Sequence, residues 1–119
     1  MFSVLRVSSS SEKVEGLLKF VEGCFPDKSK INRQNDLVID LSKSKDWDTH
    51  CLEIKENIDV LLKVFPKNTK EDYELILDIS VDKPEISDDD SINYCVYNFD
   101  LNFLRKLASN EIELEVTIY

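Results

Sequence analysis

One histidine, two glycines and three cysteines are all that this chain of 119 residues contains of those types, and each shortage excludes some chemistry. Gly16 and Gly23 both fall in a helical pattern, so no glycine-rich phosphate loop or dinucleotide-binding turn is expected. His50 is followed directly by Cys51, and side chains adjacent along a helix do not face each other, so no Cys–His nucleophile pair is expected. The histidine reads as a helix-surface residue. Cys24, Cys51 and Cys95 are 27 and 44 residues apart, which with a single histidine matches no zinc pattern. They read as reduced, buried thiols, pointing to the cytoplasm. No apolar run approaches the roughly 18–20 residues that span a bilayer, and no basic-then-apolar leader opens the chain. No membrane association, secretion, cofactor or enzymatic activity is expected.

Basic residues are scarce in one part of the chain only. Residues 1–70 hold 12 Lys and Arg against 11 Asp and Glu, whereas residues 71–119 hold 3 against 13. The net charge of −9 therefore belongs to the second part. Such a field repels nucleic acid, whose binding requires clustered Lys and Arg, and speeds encounter with a basic protein.

Hydrophobic periodicity places the elements. Phe2–Val7 is an expected first strand, and Ser11 an expected cap for a helix to Cys24, with Val14, Leu17, Leu18 and Val21 on one face. Gly16 is expected to allow close packing, and Gly23 to help end the helix. Residues 27–36 read as a loop, Leu37–Leu41 as a second strand and Thr49–Phe65 as a second helix. Tyr73–Val81 is a third strand, joined by the loop DKPEISDDD to a fourth over Ser91–Tyr97, in a wide hairpin. Asp100 is the expected N-cap of a helix to Ala108, with Phe99 and Leu104 spaced for a hydrophobic staple. Asn110 is a plausible left-handed stop before a last strand, Glu111–Tyr119. There Ile112, Leu114, Val116 and Ile118 point to the core, and Glu111, Glu113, Glu115 and Thr117 to water. The expectation is a single α+β domain over 1–119, in the order β-α-β-α-β-β-α-β. It is a two-layer sandwich in which a mostly antiparallel sheet of about five strands carries helices on one face.

This arrangement leaves the other sheet face wet and acidic. Asp40, Glu74, Asp78, Asp82, Glu111, Glu113 and Glu115 occupy outward positions of three strands without a lysine or arginine among them. Like charges opposite one another weaken a sheet, so the pattern reads as a docking surface for a basic protein, with Ile76, Cys95 and Tyr97 as less polar spots. An ordinary solvated face that discourages edge pairing is the simpler reading. The candidate partner-binding residues are Glu74, Asp78, Asp82, Tyr97, Glu111, Glu113 and Glu115, with the loop acids Asp88, Asp89 and Asp90. That loop has no glycine to turn around calcium, so it reads as a solvated or partner-binding loop and no metal is expected. Trp47, between Asp46 and Asp48, reads as a cap on the core or as an interface anchor.

From about Leu52 onward the chain resembles a family of small bacterial proteins known as a domain of unknown function. The residues that carry the likeness are Ile58-Asp59-Val60-Leu61-Leu62 running to Phe65-Pro66, the strand Tyr73–Val81, the helix from Asp100 to Leu107, and the closing Ile118-Tyr119. The broader resemblance is to immunity proteins of polymorphic or contact-dependent growth inhibition toxin systems, often small, acidic, cytoplasmic α+β domains. It implies a protein that neutralises a cognate toxin domain, often a basic nuclease, through an acidic surface. The rival expectation is a housekeeping interaction module or small enzyme subunit with no toxin partner. Oligomeric state is left open.

Overall fold

The structure, a computed structural model, describes residues 1–65, 72–82 and 97–119. The elements are β1 (Phe2–Ser8), α1 (Ser11–Cys24), β2 (Ser29–Ile31), β3 (Leu37–Ser42), α2 (Trp47–Val64), β4 (Glu74–Val81), α3 (Leu101–Ser109) and β5 (Ile112–Ile118). They form an α+β arrangement around a five-stranded sheet in the order β2-β3-β1-β4-β5. All neighbours are antiparallel except β4 and β5, which run parallel.

Each helix starts where a short polar side chain can take an orphan backbone N–H. Ser10 rather than Ser11 caps α1, accepting from Lys13 N; Asp46 caps α2 and Asp100 caps α3. The second helix thus begins two residues before the expected Thr49, because the Asp46 carboxylate reaches the Thr49 N–H at 3.0 Å. Val14, Leu17 and Val21 of α1, Ile54, Ile58 and Leu61 of α2, and Phe103 and Leu107 of α3 are buried in one core with Leu5, Val7, Leu37, Ile39, Leu75 and Leu77. Burying one such side chain is worth roughly 1.5–3 kcal/mol.

Several expectations change. Residues 29–31, read as loop, pair with β3 as a short edge strand. Residues 91–96 of the expected fourth strand lie outside the described residues, and Tyr97 is not in a strand. The neighbour of β4 is instead β5, reached through α3. Phe99 stacks on Phe103, with ring centroids 6.1 Å apart, while its expected staple partner Leu104 is exposed. The left-handed residue between α3 and β5 is Glu111, at φ 55°, whereas Asn110 has φ −101°. A Cβ added at Gly16 or Gly23 meets nothing, so neither glycine serves close packing, and α1 ends on Phe25 as its cap. Cys24 is exposed and Cys51 half-buried, against the expectation of buried thiols; Cys95 lies outside the described residues. Cys24 falls on the solvent side of α1's last turn, which the helical period alone did not separate from the core stripe.

His50 is the largest departure. It is fully buried rather than at the surface. Ser3 and Ser42, register partners on β1 and β3, converge on its ring from opposite sides. Ser3 Oγ is 2.5 Å from Nε2, and Ser42 Oγ is 2.9 Å from Nδ1. The Ser44 carbonyl, which can only accept, is 3.1 Å from Nδ1. Nδ1 therefore carries the proton, and Nε2 accepts from Ser3. Ser42 in turn donates to Glu53 at 2.8 Å, so the cluster is satisfied within the protein. Trp47 stacks over the imidazole, with centroids 6.0 Å apart, in keeping with a cap on the core.

Candidate functional site

The three helices lie on one side of the sheet, and among the described residues the other side carries none. Register assigns that bare side row by row. Val38, Arg6, Ile76 and Glu113 lie across β3, β1, β4 and β5, and the neighbouring row is Asp40, Val4, Asp78 and Glu115. Four of the expected acids therefore share these rows, with Glu74 next along β4, exposed and opposite Ser8.

Arg6, on the first strand, which the expectation for the other three left out, puts a basic group among the acids. Because β1 sits between β3 and β4, its outward arginine falls in the middle of the acids that the flanking strands present. Its guanidinium lies 3.0 Å from Glu115 and 3.7 Å from Asp78. Asp40 has Lys43 at 3.6 Å, and Asp82, past the end of β4, has the Met1 amino group at 3.2 Å. Among the described residues, Glu74, Glu111 and Glu113 have no ion pair. The face is acidic but partly neutralised, with the small apolar side chains of Val4, Val38 and Ile76 half-buried between its charges.

Asp78 reports the electrostatics of this face. Partial burial holds its carboxyl above the usual carboxylate range, and the charge of Glu115 pushes the same way while Arg6 opposes both. Its Oδ1 is buried with no hydrogen-bond partner among the described residues. Charge at this position costs the fold something, as like charges across strands should.

The remaining expected residues are dispersed. Glu111 occupies the left-handed turn ahead of β5 rather than the alternating strand. Tyr97 is on the helix side, its ring 4.9 Å from Trp47, because it belongs to the segment leading into the α3 cap. Asp88, Asp89 and Asp90 lie outside the described residues. Among the described residues no group of three or more His, Cys, Asp or Glu is placed to hold a metal ion, and no helix is long and apolar enough to cross a membrane.

A different feature of β5 was not anticipated. Ile112 is buried, but Leu114, Val116 and Ile118, expected on the core, are 36, 45 and 63% exposed. The reason is length. Nine residues of α3 span roughly 13 Å, whereas seven residues of β5 span roughly 23 Å, so the helix covers only the start of the strand beside it. Alternation looks the same whether a strand is covered or not, and only knowing that β5 is an edge would have revealed the difference.

Two grooves remain. One of about 570 Å³ runs between the end of β3 and α2, past Asp40, Lys43, Glu53 and Asn57. The other, about 470 Å³, is lined by Trp47, Cys51, Lys55, Phe99 and Phe103. Burial pushes the Cys51 thiol up, so it is a weak nucleophile there. Compared with models of known families, with curated proteins and with solved structures, the chain matches none of them.

Proposed function

We propose that the protein is an immunity-type inhibitor: it binds a cognate bacterial toxin domain, a basic nuclease, in the cytoplasm and blocks it by surface contact rather than by catalysis. The observation that carries this reading is the sheet face on which, among the described residues, no helix lies. Its exposed Glu74, Glu113 and Glu115 face water, and Asp78 holds a carboxyl whose ionisation the fold alone disfavours. A cationic surface would relieve that cost and would be steered to the face by the acidic second part of the chain. Arg6, central in the face, orients Glu115 and Asp78 for such a partner.

The test is coexpression with the product of a neighbouring large toxin-like gene. A stable complex is expected, with an association rate that falls steeply as salt rises. Replacing Glu111, Glu113 and Glu115 by lysine should slow association by roughly tenfold or more, since steering contributes factors of about 10–1,000. Most of that effect should come from Glu113 and Glu115, because Glu111 sits in the turn. A triple variant that protects a host as fully as the native chain overturns the assignment of this face.

A further inference from the structure

The outer margin of β5 combines three features. Its inner edge is bonded to β4, and the last of these bonds is Tyr119 N–H donating to the Val81 carbonyl at 3.0 Å. Main-chain groups of successive strand residues point to opposite edges. With Tyr119 directed at β4, residues Leu114, Val116 and Ile118 turn their N–H and C=O groups outward, and among the described residues nothing pairs with them. The side chains of the same three residues are the exposed apolar row. Glu113 and Glu115 alternate with them on the other face.

We propose that this edge takes up an extended segment of the cationic partner as an added β-strand, in which an apolar residue alternates with lysine or arginine. The inference rests on the reading that the acidic face engages a basic protein, and it names the part of that protein which makes the contact. In strand addition the main chain supplies affinity and alternate side chains supply specificity. Here apolar positions of the incoming segment would cover Leu114 and Val116, and its basic positions would meet Glu113 and Glu115. A second copy of the chain is the poorer occupant. Pairing β5 with β5 gathers Glu113 and Glu115 of both copies along one seam with no basic residue of either strand to offset them, and like charges across strands oppose pairing. The opposite edge does not compete either: β2 has three residues, and Lys28 and Lys30 repel the same segment.

The probe is a capped peptide of alternating valine and lysine, about eight residues long, a common strand length. It is titrated into the full chain at low salt, with amide hydrogen exchange as one readout and affinity as the other. Slowed exchange at Leu114 and Val116 is expected. Val116→Pro removes an outward N–H but leaves the bonds to β4 intact, and roughly tenfold weaker binding is expected from it. A peptide N-methylated at every amide keeps its charge but has no main-chain N–H to donate from either edge, and should bind as weakly, with no change to the protein. Binding that survives both changes but is lost in Glu113→Lys, Glu115→Lys overturns strand addition while leaving capture by the acidic face standing. Binding that is indifferent to the double lysine variant removes both. An edge already protected without peptide, in a protein of dimeric mass, makes the second copy the occupant and overturns the proposal.

Discussion

At the corner where β1, β3 and α2 meet, Ser3, Ser42 and His50 are buried together with Leu5, Leu41 and Ile54. Along the β5 margin the charges stay in water and the apolar row is left open. Both regions derive from strands with the same apolar–polar alternation, so the contrast comes from what is laid over each strand. At the corner an eighteen-residue helix lies across β3, and Ser3 and Ser42 satisfy the one polar side chain it buries. At the margin a nine-residue helix stops short. The first region holds the fold together, and the second contributes little to stability but presents a surface. The largest expected effect tests that division directly. Ile54→Ala, in the core beside the corner, should cost about 2–5 kcal/mol in urea unfolding, from lost burial and the cavity left behind. Val116→Ala should stay within about 0.5 kcal/mol, as exposed substitutions usually do. Comparable losses at the two sites would mean that the margin is covered after all.

The next effect separates the regions by pH. Burial holds the His50 pKa below its ordinary 6.5, opposed by the Ser44 carbonyl. Above 6.5 the imidazole is neutral in the folded and unfolded chain alike. As pH falls through 6.5 the unfolded chain takes up a proton that the folded chain resists, so stability drops until the folded pKa is reached, by at most about 1.4 kcal/mol per pH unit. Asp78 acts with the opposite sign and in a more acidic window. Its raised pKa means that the folded chain binds the proton first, so stability is regained between that value and 3.8. His50→Leu should lose about 1–3 kcal/mol at neutral pH by leaving Ser3 and the Ser44 carbonyl without the imidazole, while Ser42 keeps Glu53, and its profile should be flat where the native protein declines. A variant that keeps the decline would place the titrating group elsewhere.

How much of this was readable from the residues follows the same contrast. Alternation and helical period located β1, β3, β4, β5 and all three described helices, because a buried stripe of Val14, Leu17 and Val21 is a local signal. The Asp100 cap was readable for the same reason. What alternation cannot encode is lateral order. Nothing local says that β1 lies between β3 and β4, so Arg6 was missed among the acids. Nor does anything local say that β5 is an edge, so Leu114, Val116 and Ile118 were assigned to the core. His50 was misread because a polar residue at the start of a helix reads as solvent-facing until the two serines that satisfy it, 47 and 8 residues away, are known.

The smallest expected effect concerns Arg6, which ties the bare face to the margin through Glu115. Its side chain is 28% exposed, and its partners Asp78 and Glu115 are 21% and 51% exposed, so solvent screens the pairs and their net contribution should not exceed about 1 kcal/mol. Arg6→Ala should therefore shift the urea midpoint only slightly at neutral pH, and less at high salt, where the repulsion it unmasks is screened. The informative measurement is the pair Arg6→Ala with Asp78→Asn. If the arginine serves to offset two neighbouring carboxylates, removing one of them in the Arg6→Ala background should recover most of the loss, so the two substitutions will not be additive. Simple additivity would mean that Arg6 contributes through the packing of its aliphatic stem against Val38 and Ile76, and that the acids of this face do not act on one another through it.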